Sequence, residues 1–213
     1  HAMPIVHRNS TSDENYSLAV WASTEPIDEL FAAVTLDSAE AAFYHSLHNE
    51  QRKREYLTVR RLLEVLCGKD ERIIYNEYGK PRLTSGGYIS VTHSKTLVGL
   101  IVSGVAEVGI DLEAMRSHIA TIAPKFVSEK EREAFGNQLD NETLHLIWGA
   151  KEVLFKLYGK GEVDFKKDLC VLPEPGTKQV VASIQKNDYR LNIAVRHTLL
   201  GEFMLVWSCL ATD

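Results

Sequence analysis

The sequence predicts an α+β protein of two similar halves, and three observations lead there. Strand, helix and strand signals run in the same order twice along 213 residues, a length that suits one large domain or two small ones. The residues do not repeat, so the repeat is one of pattern alone. The two runs meet near Gly104, which sets halves 1–104 and 105–213 with a cleft between them, and junctions between packed halves are favoured ligand sites. A content of 45% hydrophobic and 25% charged residues is that of an ordinary soluble globular protein, so a packed core is expected throughout.

In the first half the apolar run Leu18–Ala22 reads as a strand. Helix signals follow over Asp28–Val34 and from Ser38, read as the N-cap, to about His48. A longer helix is predicted over Glu50–Cys67, where Tyr56, Leu57, Leu63 and Leu66 recur at helical spacing and Gly68 stops it. Ile73-Ile74-Tyr75, a turn over Tyr78–Pro81, a Gly86-Gly87 turn and the β-rich runs Tyr88–Thr92 and Leu97–Ser103 complete it. The second half opens with a strand over Ala106–Leu112. Helices are predicted near Ser128–Phe135, where Ser128 and Glu131 form a capping box, and over Asn141–Tyr158. Strands at Leu169–Leu172, Gln179–Ile184, Tyr189–Val195 and Glu202–Cys209 follow, separated by turn signals at Pro173–Gly176, Asn187-Asp188 and Leu200-Gly201.

Composition excludes several classes. A formal net charge of −5 argues against nonspecific nucleic-acid binding, which needs a basic surface. The apolar stretches Leu97–Val102 and Phe203–Val206 are far too short to span a bilayer. No signal peptide is evident, and His1-Ala2-Met3 reads as a cloning remnant ahead of a native Met3. Cys67, Cys170 and Cys209 are scattered, without metal-ligand spacing, as expected of thiols in a reducing cytoplasm. The histidines form no zinc motif.

Two stretches carry chemistry. In Val108-Gly109-Ile110-Asp111-Leu112-Glu113, strand alternation puts Asp111 and Glu113 on one face and Ile110 and Leu112 on the other. Neighbouring carboxylates repel unless a cation sits between them, and oxygen ligands of this kind suit Mg²⁺. By itself an acidic pair on an edge strand is more often a solvated edge. In Trp148-Gly149-Ala150-Lys151-Glu152-Val153-Leu154-Phe155-Lys156, the residues Trp148, Glu152 and Lys156 lie at i, i+4 and i+8 along one helix face. The bland reading is a surface Glu–Lys pair beside a packing Trp. Taken together, the stretches supply a third carboxylate for a metal and a lysine one turn on to meet a metal-bound phosphate, the minimal equipment of phosphoryl chemistry.

Gly109–Glu113, followed downstream by Trp148-x-x-Lys151-Glu152-x-x-x-Lys156, resembles the signature pair of the 4′-phosphopantetheinyl transferases. Asn76-Glu77-Tyr78-Gly79-Lys80-Pro81 is similar to that family's NxxGKP element, and Ile89-Ser90-Val91-Thr92-His93-Ser94 to its SHS element. The resemblance covers about Arg60 to Lys156, and the length is similar to the larger surfactin-synthetase-activating (Sfp-type) group. It implies a pseudo-twofold fold of two α/β subdomains, each a small, mainly antiparallel sheet with helices. The implied reaction is Mg²⁺-dependent transfer of the phosphopantetheine arm of coenzyme A to a serine of an apo acyl or peptidyl carrier protein, releasing 3′,5′-ADP.

Carried over by position, the resemblance makes Asp111, Glu113 and Glu152 magnesium ligands, with Glu152 also serving as, or positioning, the base. Lys156 would neutralise the diphosphate and the leaving phosphate. Lys80, with Pro81, would contact coenzyme A, Thr92 and His93 would bond its phosphates, and Arg60 would meet the 3′-phosphate. The basic cluster Gln51–Arg54 with Arg60-Arg61 is either phosphate-binding or a solvated face. Thr92 stands where Ser is usual, and its hydroxyl still bonds phosphate. Gly149 and Val153 are less typical of the helix, and Gly149 costs about 1 kcal/mol of helix propensity against Ala. Phe126 and Val127 read as core rather than as a carrier-docking surface. A cytoplasmic monomer with an internal pseudo-dimer is expected. Two alternatives remain at this stage: a non-catalytic coenzyme A or nucleotide-binding module that regulates a carrier-protein pathway, and a different metal-dependent phosphotransferase using the same acids.

Overall fold

Two antiparallel sheets form the centre of the protein, and the computed structural model describes residues 5–9 and 14–210. The first sheet contains β1 (Ile5–Asn9), β2 (Ser17–Ala22), β3 (Ile73–Tyr75), β4 (Pro81–Leu83), β5 (Tyr88–Ser94) and β6 (Leu97–Ser103). Its order is β1-β2-β6-β5-β4-β3. The second contains β7 (Val108–Ala114), β8 (Leu169–Pro173), β9 (Val180–Lys186), β10 (Tyr189–Leu200) and β11 (Phe203–Cys209), in the order β7-β11-β10-β9-β8. Helices α1 (Ile27–Ala33), α2 (Ser38–Ser46) and α3 (Glu50–Cys67) precede β3. Helix α4 (Ile119–Ile122), a 3₁₀ turn at Ala123–Lys125, α5 (Glu129–Ala134) and α6 (Asn141–Tyr158) lie between β7 and β8. The fold is α+β, as the order of signals predicts.

Alternation along the strands builds four layers. Ala19, Trp21, Val98, Leu100 and Val102 face α3, packing on Val59, Leu62 and Leu63. Leu18, Val20 and Ile101 point the other way and meet Ile110, Leu112, Leu205 and Trp207, so the two sheets pack face to face. On the far side of the second sheet, Met204 and Val206 join Ile147, Ala150, Val153 and Leu154 of α6. The order is therefore helix, sheet, sheet, helix. It explains why Leu97–Ser103 is buried along its whole length: β6 is covered on both faces.

Several local signals differ from expectation. Helix α2 is capped by Asp37, not Ser38: the Asp37 carboxylate accepts from the Glu40 amide at 2.8 Å, and the Glu40 carboxylate accepts from the Asp37 amide. The short acidic side chain one residue earlier completes the reciprocal box that Ser38 cannot. The edge strand β1, the short β4 and the turn region α4 were not anticipated; each is too brief to show a period. Strand β7 runs two residues later than predicted, through Glu113 to Ala114. Phe126 and Val127 are 1% and 2% exposed, which makes them core. Among the described residues, no helix is long and apolar enough to cross a membrane. The remnant His1-Ala2-Met3 lies outside the described residues.

Candidate active site

Strand β7 sends Ile110 and Leu112 between the sheets, so Asp111 and Glu113 must face α6. From α6, Lys156 reaches back across the strand. Its Nζ donates to the Ile110 carbonyl at 2.7 Å and to Asp111 Oδ1 at 3.0 Å. Asp111 is 5% exposed, and its other oxygen, Oδ2, is buried without a hydrogen-bond partner. Burial raises the Asp111 pKa, with Lys156 opposing. Burial and then the Asp111 charge raise Glu113. Glu152 is pushed up to about 7, chiefly by burial and next by Asp111, against the pull of Lys156. The three acids therefore repel one another around one lysine.

That arrangement brings the predicted metal ligands into one electrostatic neighbourhood but does not close them into a cage. Among the described residues, no group of three or more His, Cys, Asp or Glu side chains is gathered to hold a metal ion. The donor set still fits a hard divalent cation. Hard oxygens, mutual repulsion and an orphaned Asp111 Oδ2 are what such an ion relieves, and Mg²⁺ takes only one or two carboxylates, completing its shell with water and phosphate oxygens.

Two glycines let α6 lie this close to the acid strand. A Cβ on Gly109 would fall 2.8 Å from Val153 Cγ1, and a Cβ on Gly149 would fall 2.7 Å from Val206 Cγ2 and 3.6 Å from Asp111 Oδ2. The two positions that look atypical in the helix are thus contact points with the second sheet: Val153 meets Gly109 of β7, and Gly149 meets Val206 of β11. Overpacking of this kind costs about 1–3 kcal/mol, more than the ~1 kcal/mol of helix propensity that alanine restores. Gly149→Ala is therefore expected to lower the urea midpoint. A midpoint unchanged or raised would show that α6 does not press on β11 at this residue.

Outside the acids, a cavity of about 820 Å³ opens between α3, the 78–81 turn, β5 and the end of α6. Arg60, Lys80, Pro81, His93 and Lys156, all predicted from sequence, line it. Residues 107–203, which contain both acid-bearing segments, match the family model described as the 4′-phosphopantetheinyl transferase superfamily. The 4′-phosphopantetheinyl transferase HetI of Nostoc sp. (strain PCC 7120) is 27% identical over 146 residues, 61% of this chain and 62% of the relative. The 4′-phosphopantetheinyl transferase AcpT of Salmonella typhimurium (strain LT2) is 27% identical over 115 residues, 51% of this chain and 60% of the relative. The chain spans about three fifths of the length of these curated relatives.

The cavity cations are unequal. Arg60 is buried, stacked 3.5 Å from the Tyr56 ring centre and 3.4 Å from the Glu40 carboxylate. His93 is exposed, with Nδ1 3.4 Å from the Glu55 carboxylate. The Lys80 ammonium is engaged by Glu107 at 2.5 Å and by the Leu157 carbonyl at 2.7 Å, so it ties the turn to the end of α6. The turn itself is held by Asn76, whose Oδ1 accepts from the amides of Tyr78 and Lys80, both at 2.9 Å. The basic cluster on α3 divides: Arg52 and Arg60 line the cavity, whereas Arg54 binds the Glu25 carbonyl and Arg61 pairs with Glu64 at 3.1 Å.

One predicted contact lies elsewhere. The Thr92 side chain points away from the cavity, and its hydroxyl accepts from the Leu112 amide at 3.0 Å. Sequence reasoning also missed Lys160 and the exposed aromatics Phe43, Tyr75 and Tyr78 at the cavity mouth. Lys160 had a signal, since it sits between Gly159 and Gly161 just past α6. Trp148 is half-buried, packs edge-on to Phe126 at 5.1 Å and also reaches the Glu113 carboxylate. Lys151, inside the Trp-to-Lys motif, is fully buried against Glu131 at 2.8 Å.

Proposed function

We propose that this protein transfers the 4′-phosphopantetheine arm of coenzyme A to a serine of an apo acyl or peptidyl carrier protein, releasing 3′,5′-ADP. The observation that carries the reading is the buried Asp111, with one free oxygen, set against Glu152 and Lys156 one side chain in from a cation-bearing cavity. The same reading takes residues 1–104 and 105–213 as two halves with the substrate between them, in the manner of the Sfp-type group. A single chain then furnishes both walls, and a cytoplasmic setting supplies coenzyme A and carrier.

In this reading Arg60, His93 and Lys156, joined by Arg52 and Lys160, balance the phosphates of coenzyme A along the cavity. The turn at Lys80 and Pro81 forms its wall. Asp111, Glu113 and Glu152 would hold a Mg²⁺ ion, which when bound offsets the negative charge of the diphosphate. The carrier serine Oγ attacks the phosphorus nearer the pantetheine, and the bond from that phosphorus to the bridging oxygen breaks. Glu152 serves as the base for the serine proton, or positions that base. Lys156 holds its ammonium where charge grows on the departing 3′,5′-ADP.

Incubation with coenzyme A, Mg²⁺ and an apo carrier protein should add one phosphopantetheine to the carrier, seen by mass spectrometry, with 3′,5′-ADP appearing in equal amount. Coenzyme A binding without product on several unrelated apo carriers would instead leave a binding module. A product other than 3′,5′-ADP would point to a different phosphotransferase.

A further inference from the structure

Strand β7 is the terminal strand of its sheet, so the amides that do not pair with β11 have no backbone ladder partner within that sheet. They are nonetheless satisfied. The amides of Ile110, Leu112 and Ala114 donate to the hydroxyls of Ser90, Thr92 and Ser94 at 3.2, 3.0 and 3.1 Å. All three hydroxyl residues are buried. The offset is the same at each rung, so β5 and β7 run side by side in the same direction, joined by side chains in place of a backbone ladder. Alternation makes this possible: Ile89, Val91 and His93 face α3, and the polar face of β5 turns into the seam.

We infer that Thr92 is a positioning residue, whose hydroxyl fixes the Leu112 amide and thereby the placement of Asp111 and Glu113 on either side of it. Register is the physical reason. A one-residue slip would set Ile89, Val91 and His93 against β7 and leave three buried amides without acceptors, so the ladder admits one alignment. Thr92 is also the rung whose rotamer is locked. Gly99, its partner on β6, has no Cβ, and one placed there would fall 2.9 Å from Thr92 Cγ2 and 3.3 Å from Ile110 Cδ1. The threonine methyl fills that gap, and β-branching holds χ1 with the oxygen toward β7. Because His93 follows on the opposite face, one residue pair ties the cavity wall to the acid strand.

The kinetic arm rests on the transferase reading; the exchange arm does not. Thr92→Val keeps the shape and removes the acceptor. The expected result is a fall in kcat of roughly tenfold or more with the KM for coenzyme A within about twofold of wild type. Amide exchange over residues 108–114 should accelerate. Thr92→Ser, which keeps the acceptor, should restore both to within about threefold. A raised KM for coenzyme A at preserved kcat would make the hydroxyl a substrate contact and overturn the inference, as would unchanged exchange in Thr92→Val. Should wild type transfer nothing, exchange alone decides. If Thr92→Val does not fold, Thr92→Ala takes its place in the same assays; it leaves room for a water at the amide, so slower exchange than wild type or an unmoved kcat would overturn the inference.

Discussion

Asp111→Asn is expected to lower transfer turnover on the order of 10²–10³-fold while holding or raising the melting temperature. The rate falls for two reasons. Asparagine takes away the charge that, with Glu113 and Glu152, would hold the cation, and it takes the anion from beside Lys156. The stability sign follows from burial. Asp111 has its pKa raised in the folded protein despite Lys156, so the folded state binds that proton more tightly than the unfolded chain does. Such a group subtracts stability as pH rises through its unfolded pKa and on through its folded one. Asparagine never ionises and escapes the penalty, while Lys156, partly exposed, keeps the Ile110 carbonyl and water. Added Mg²⁺ should raise the melting temperature of wild type and leave the variant unmoved. Near-normal turnover in Asp111→Asn would move the chemistry elsewhere, and a marked fall in melting temperature would show the ionised pair to be a net stabiliser.

The largest structural effect is expected at Lys151. Its ammonium is fully buried and donates to Glu131 Oε2 at 2.9 Å and to the carbonyls of Phe126 and Phe165 at 2.5 and 2.7 Å. Glu131 is equally buried, and it also accepts from the Ser128 amide at 2.7 Å and the Val171 amide at 2.8 Å. This network joins α5, α6, β8 and the loop before β8. Removing one partner strands the other charge away from water, a loss of about 3–5 kcal/mol. For a chain of this size, Lys151→Ala should therefore melt roughly 6–20 °C lower. Replacing both charges with apolar residues should recover only part of that, because the Ser128 and Val171 amides and two carbonyls would remain without partners. A drop of only a degree or two in Lys151→Ala would mean that water enters and takes over the network.

The two predictions separate a motif that reads as one unit. Glu152 and Lys156 belong to the proposed chemistry, whereas Lys151, adjacent to Glu152, belongs to the core. Helical period places Lys151 on a different face from Glu152, but it does not say what covers that face. Only the packing of α5 and the loop after α6 supplies the buried carboxylate and carbonyls that make a lysine tolerable there.

The sequence by itself determined the α+β class, the long helices α3 and α6, and the sharing of one strand face by Asp111 and Glu113. These depend on periods and caps contained within single elements, which a linear reading can see. Tertiary structure alone decided which polar face was solvated. The alternation in β5 suits an exposed strand equally well, yet its hydroxyls are sealed against the edge of β7. It also divided the α3 cations into cavity-lining Arg52 and Arg60 and structural Arg54 and Arg61. The reason is common to all these cases: the environment of a side chain is set by the element packed across from it, and that neighbour is distant in sequence.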